Sequence, residues 1–158
     1  MVFAEAVRQI DQHHYSPVFV TGGDITKGSA FAEFGNIAEL GAASLRQMSQ
    51  GRIEPHPIPT PSVQKDRTFA SALALREWME AHGGVQRDIT LLSVGPHTRR
   101  SWLLFQKAFG DSARVGVIAA PVEGFDPNRW WVYSEGVRTV LSESIAYVYA
   151  RLFFWHIT

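Results

Sequence analysis

Apolar residues recur along this chain in two rhythms that take turns, one helical and one extended. From 2 to 12, Val2, Phe3, Ala6, Val7 and Ile10 share one helical face, which predicts an amphipathic helix. Ser16-Pro17 ends it, and Val18-Phe19-Val20 reads as a short buried strand running into Thr21-Gly22-Gly23-Asp24. A second helix fits 35–49, with Ile37, Leu40, Ala43, Leu45 and Met48 mostly inward. The stretch 53–61 holds too many prolines for a central strand and predicts an edge strand or an extended connection. A third helix, capped by Asp66 or Thr68, runs to about His82 and stops at Gly83-Gly84. The strand 89–94 follows, then a helix through Trp102 and Phe109 closed by Gly110-Asp111, then the strand 115–120. A loop with Asp126-Pro127-Asn128 and two tryptophans leads to a last helix over roughly 134–154.

Strands alternating with helices imply an α/β fold whose mostly parallel sheet is covered on both faces. Neither repeats nor low-complexity tracts divide the chain, and 158 residues suffice to bury a core of their own, so 1–158 reads as a single domain. Hydrophobic residues make up 46% and charged residues 19%, which excludes a disordered chain. Basic and acidic residues balance at 15 each, so no global field draws in nucleic acid or an anionic membrane, and any anion site must be local. The absence of cysteine excludes thiolate metal sites, a cysteine nucleophile and disulfides. The N-terminus resembles neither a signal peptide nor a membrane span. Ile145 to Phe154 is apolar but only about two and a half helical turns long, with Glu143 before it and Arg151 within it, so it predicts a buried terminal helix and a soluble chain.

Three turns that each follow a strand carry the candidate chemistry, and in a parallel sheet all three open on its carboxyl edge, where ligands bind. Gly22 and Gly23, followed by Asp24, permit positive φ and close backbone approach to a ligand; a tight turn that merely needs glycine reads equally well. In Lys65-Asp66-Arg67-Thr68, Thr68 offers a hydroxyl and helix-start amides and Arg67 a planar fork for an anion, against a solvated, capped helix start. In His97-Thr98-Arg99-Arg100, His97 sits in the first helical turn, where the dipole favours a neutral ring acting as acceptor or base. Helical phase puts His97 and Arg100 on one side and turns Arg99 away. Trp130-Trp131 offers a stacking platform or packing over the sheet edge. Glu39 and Glu143 lie among apolar neighbours as ion-pair partners or site carboxylates, the first role suiting Glu143 better. His13-His14 and His56 make no ligand spacing, so no metal site is expected. Ser93 and Ser101 have no spacing-defined triad.

The order of Val-Thr-Gly-Gly at 20–23, Glu39, Asp-Arg-Thr at 66–68 and His-x-x-Arg-Ser at 97–101 resembles the ElyC/SanA/YdcF family, also called the domain of unknown function 218. The likeness covers about 4–154, and Gly116-Val117 and Trp130-Trp131 look like one bacterial subgroup. It implies a three-layer αβα, Rossmann-like domain with Gly22, Gly23, Glu39, Thr68, His97 and Arg100 in the family pattern. It also implies a bacterial protein whose parent is membrane-associated or envelope-facing, linked to envelope or cell-wall biogenesis, with no defined activity. Members of this family usually open with a strand before the helix that resembles 2–14 here. The chain is therefore expected to be N-terminally shortened, with a homo-oligomer contact or a partner strand filling the gap.

These readings converge on a domain that binds a small phosphate- or carboxylate-bearing molecule, nucleotide-like in one version, with His97 as acid, base or orienting group. Two alternatives stand beside it: a noncatalytic envelope accessory domain, and a phosphoester hydrolase or transferase using His97 directly. No cofactor is identified.

Overall fold

In the computed structural model, which describes residues 2–25, 34–63 and 65–153, helices and strands alternate along the chain. The elements are α1 (Val2–His13), β1 (Phe19–Gly22), α2 (Ile37–Met48), β2 (His56–Pro59), α3 (Arg67–Ala81), β3 (Asp88–Val94), α4 (His97–Phe109), β4 (Arg114–Ala120) and α5 (Ser134–Leu152). Two short 3₁₀ turns, Gly110–Ser112 and Pro127–Val132, were expected only as a helix stop and a loop.

All strand pairs are parallel. β1 pairs with β2 from Phe19 opposite His56 to Gly22 opposite Pro59, and β3 pairs with β4 from Asp88 opposite Arg114 to Val94 opposite Ala120. Pro57 and Pro59 are tolerated because β2 is an edge strand, whose outer side needs no ladder donors. The expected single sheet is interrupted: among the described residues no backbone hydrogen bond joins β1 to β3, and the ladder is two pairs side by side.

Alternation along β1 shows how helices cover both faces. Val20 packs toward Gly41 of α2 and Phe3 of α1, whereas Phe19 meets the Trp78 ring of α3 at 5.1 Å between centroids. α1 and α2 therefore lie on one side of the strands and α3 and α4 on the other, an α/β fold of Rossmann-like character. The main core sits on the α3–α4 side, where Phe69, Leu75, Leu104, Phe105 and Phe109 are buried with Ile58 and Val115 of the strands. Arg76 donates to the Ala108 carbonyl at 3.0 Å and Trp102 Nε1 to the Val115 carbonyl at 2.7 Å, which tie α3 to α4 and α4 to β4.

Two expectations about helices fail. Asp66 stands at the start of α3 with φ 58°, but its side chain makes no capping bond. The α5 helix is not buried: Leu141, Ile145, Val148, Tyr149 and Leu152 are 47–71% exposed, and only Gly136 and Ala150 are enclosed. The apolar run at its end marked a helix correctly but not the neighbour that would cover it. No described helix is long and apolar enough to cross a membrane.

The start of α2 is locally well determined. Asn36 Oδ1 accepts from the Glu39 amide at 2.9 Å, and Glu39 Oε2 accepts from the Gly35 amide at 2.9 Å. This reciprocal arrangement satisfies helix-start donors on both sides of the cap. Asn36→Ala should cost about 1 kcal/mol of stability in denaturant unfolding; a change below a few tenths would show that the cap contributes nothing.

Candidate functional site

At the carboxyl edge the end of β1, the start of α3 and the start of α4 surround a cavity of about 640 Å³. Its wall includes Thr21 and Gly23 from the first turn, Lys65, Asp66, Arg67 and Thr68 from the second, and Ser93, His97, Arg100 and Ser101 from the third. Three cations and an imidazole face this space with one carboxylate, Asp66, and several hydroxyls. The residues at the two N-cap positions, Asp66 and Pro96, make no side-chain capping bond. Helix-start amides without such partners are open to water or to a ligand oxygen.

Five of the residues singled out in the sequence thus meet: Gly23, Arg67, Thr68, His97 and Arg100. Three do not. Gly22 takes no positive φ; a Cβ on it would stand 2.7 Å from the Ala38 nitrogen and 2.8 Å from the Ile37 Cβ, so its bareness serves the approach of α2 rather than of a ligand. Gly23 likewise takes no positive φ. Asp24 is exposed and forms an isolated antiparallel bridge with Asn36. Glu39 is the capping carboxylate of α2 and is absent from the cavity wall. The positive φ in these turns falls instead on Gly95, at 45°, just before α4, and on Asp66, at 58°, at the start of α3.

The most organised part of the site is a cluster between α4 and α5. Arg100 Nε donates to Glu143 Oε2 at 2.8 Å and Arg100 Nη2 to Oε1 at 3.1 Å, a two-point pair with both side chains about one-fifth exposed. His97 Nδ1 lies 3.1 Å from Glu143 Oε1 and 2.9 Å from Arg100 Nη2. Nδ1 therefore either donates to the carboxylate or accepts from the guanidinium, and in both cases Nε2 is the ring nitrogen this cluster does not use. Burial pushes the Glu143 carboxyl up, but the Arg100 hydrogen bonds together with His97 outweigh it and hold the group below the usual carboxylate range.

Helical phase alone placed His97 and Arg100 together, and the 2.9 Å contact agrees. Arg99 turns instead to α5, with its guanidinium carbon 5.1 Å from the Tyr147 ring centroid. The sequence offered Glu143 as an ion-pair partner but no partner for it, because 43 and 46 residues separate it from Arg100 and His97. Lys65 and Ser71 were not singled out as ligand groups; only their place on the wall reveals them. Among the described residues His97 makes no hydrogen bond to a serine, and Ser93 and Ser101 face each other at 3.4 Å. Trp130 and Trp131 lie outside the cavity wall, with Trp131 exposed.

None of the protein-family models, curated proteins or solved structures compared with this chain matches it. The assignment of chemistry therefore rests on the cavity itself.

Proposed function

We propose that the carboxyl-edge cavity binds a small anionic molecule carrying phosphate or carboxylate groups. The observation that carries this reading is the convergence of Lys65, Arg67, Arg100 and His97 on one cavity, beside the starts of α3 and α4, whose N-cap residues make no side-chain capping bond. In a chain of zero formal net charge such a local excess of positive charge favours an anion where a global field cannot. Arg67 supplies an exposed fork, Thr68 and Ser71 supply hydroxyls, and Arg100 is held in place by Glu143. His97 Nε2 is the group suited to accept or deliver a proton, which keeps a step on a phosphoester within reach of the same site.

Membership of the ElyC/SanA/YdcF family and a role at a bacterial cell envelope belong to the same proposal, and the order of motifs in the sequence supports them. A second reading, an interaction domain without catalysis, is favoured by two observations. The stripe Leu141, Ile145, Val148 and Leu152 stands exposed along α5, and the paired Glu143 occupies part of the Arg100 fork.

A panel of nucleotides, sugar phosphates and dicarboxylates separates the two. At tenfold excess over Kd, a ligand should stabilise the protein by about 1.4 kcal/mol and raise Tm by about 3–5 °C. Arg67→Ala should abolish that shift while leaving the unliganded Tm unchanged. A panel in which no anion moves Tm, or an Arg67→Ala protein that responds like the parent, overturns the binding reading in favour of the interaction domain.

A further inference from the structure

The wall of the carboxyl-edge cavity changes character with depth. At the rim Lys65 and Arg67 are exposed, and His97 and Arg100 are half-buried. One turn along α4 from His97 stands Ser101, 3% exposed, and Ser93 of β3, 8% exposed, faces it. Ser71 lies one turn beyond Thr68 on α3, and Thr21 two residues before Gly23 on β1. Four elements thus each contribute one hydroxyl to a tier beneath the cations. Deeper still the wall is apolar, with Leu104 and Phe105 buried. Among the described residues every charged side chain on the wall belongs to the rim, and none lies at the hydroxyl tier or below it.

The hydroxyls of this tier are only partly used. Ser93 and Ser101 approach at 3.4 Å, longer than the roughly 2.5–3.0 Å of a full O–H···O bond. Ser71 Oγ lies 2.8 Å from Thr60 Oγ1, which is buried. Each pair spends one hydroxyl hydrogen between its members, and the other hydrogen meets no acceptor among the described residues. The tier therefore offers donors and acceptors together, and enclosed polar groups of this kind cost stability until a partner meets them. A second acidic group pushed to this depth would find no cation, which argues against dicarboxylates and bisphosphates. An alkyl body would strip water from the hydroxyls and replace none of its bonds. A body that carries hydroxyls of its own both donates and accepts, and its C–H faces suit Leu104 and Phe105 beneath.

We propose that the ligand is a sugar monophosphate that enters sugar first, with its phosphate at the rim and its hydroxyls on Ser71, Ser93 and Ser101. This rests on the reading of the rim as an anion site and adds the class of molecule that carries the anion. A dianionic phosphate matches Lys65 and Arg67, the two rim cations that Glu143 does not engage. The cavity, at about 640 Å³, has the size of a small-molecule site. Its selectivity comes from the tier: an analogue without hydroxyls leaves the enclosed serines unpaired, and sites built to bond a hydroxyl reject such analogues strongly.

The test measures affinities of the whole chain by calorimetry. The probes are glucose, mannose and ribose phosphorylated on the primary hydroxyl, cyclohexyl phosphate, inorganic phosphate, fructose bisphosphate, adenosine monophosphate and succinate. At least one sugar monophosphate should bind about tenfold or more tighter than cyclohexyl phosphate, which has the same head and a body of similar size without hydroxyls. Ser93→Ala and Ser101→Ala should each shrink that preference by about three- to tenfold. A merely structural defect would weaken both ligands alike and leave the ratio where it was. Equal affinity for cyclohexyl phosphate, tightest binding of the bisphosphate or the nucleotide, a response to succinate alone, or serine variants that keep the full preference overturn this proposal and leave the anion reading standing. Silence of every anion on the panel removes both.

Discussion

Replacing Gly22 with alanine is expected to lower the unfolding free energy by about 3 kcal/mol and Tm by about 6–12 °C. The added Cβ would stand 2.7 Å from the Ala38 nitrogen and 2.9 Å from the Ile37 carbonyl carbon. Both are backbone atoms in the first turn of α2, so no rotamer change relieves the overlap, and the helix must move off β1. The neighbouring glycine is the control. At Gly23 the nearest atom to an added Cβ is the Thr60 oxygen at 3.9 Å, an ordinary contact. Gly23→Ala should therefore change stability by less than about 1 kcal/mol. Denaturant unfolding of the two variants distinguishes a packing glycine from a ligand-binding one. Equal stability of both, with anion binding lost in Gly22→Ala alone, would return Gly22 to the role its sequence position suggested.

Element type was readable because the periodicities are local. The apolar faces of α1 and α2, the β3 and β4 runs and the glycine stops are contained within single segments, and the prolines of β2 correctly marked an edge. What segments could not carry was adjacency. Thr-Gly-Gly-Asp reads as one loop, yet its four residues part ways: Thr21 and Gly23 to the cavity, Gly22 to the α2 backbone and Asp24 to a bridge with Asn36. The apolar end of α5 looked buried because its hydrophobicity is visible in one dimension and its missing cover is not. The broken ladder between β1 and β3 has no local signature at all, since each strand is as apolar as one with two neighbours. Helical phase succeeded for His97, Arg99 and Arg100 because one turn is short enough for sequence spacing to fix direction.

Glu143 decides whether the carboxyl-edge cluster is a built site or a surface coincidence. Glu143→Ala leaves the Arg100 guanidinium, one-fifth exposed, and the His97 ring without the carboxylate that both contact. Breaking one side of such a pair should cost about 2 kcal/mol at pH 7, below the range for full burial because water still reaches the cluster. The pH dependence carries the sign. A carboxyl held below its ordinary value contributes stability that is fully present above that value and is lost as pH falls through the lowered one. The stability gap between parent and Glu143→Ala should accordingly stay constant near neutral pH and close in acid, below the usual carboxylate range. Glu143→Gln separates geometry from charge. Its carbonyl can still accept from Arg100, so it should recover part of the lost stability at pH 7 but none of the acid-dependent part. For the anion site the two variants also differ. If Glu143 holds Arg100 in position, affinity for the anion that shifts Tm should fall in Glu143→Ala and recover in Glu143→Gln. If it rises in both, Glu143 competes with the ligand for the guanidinium, and Arg100 is a binding group masked by its own partner.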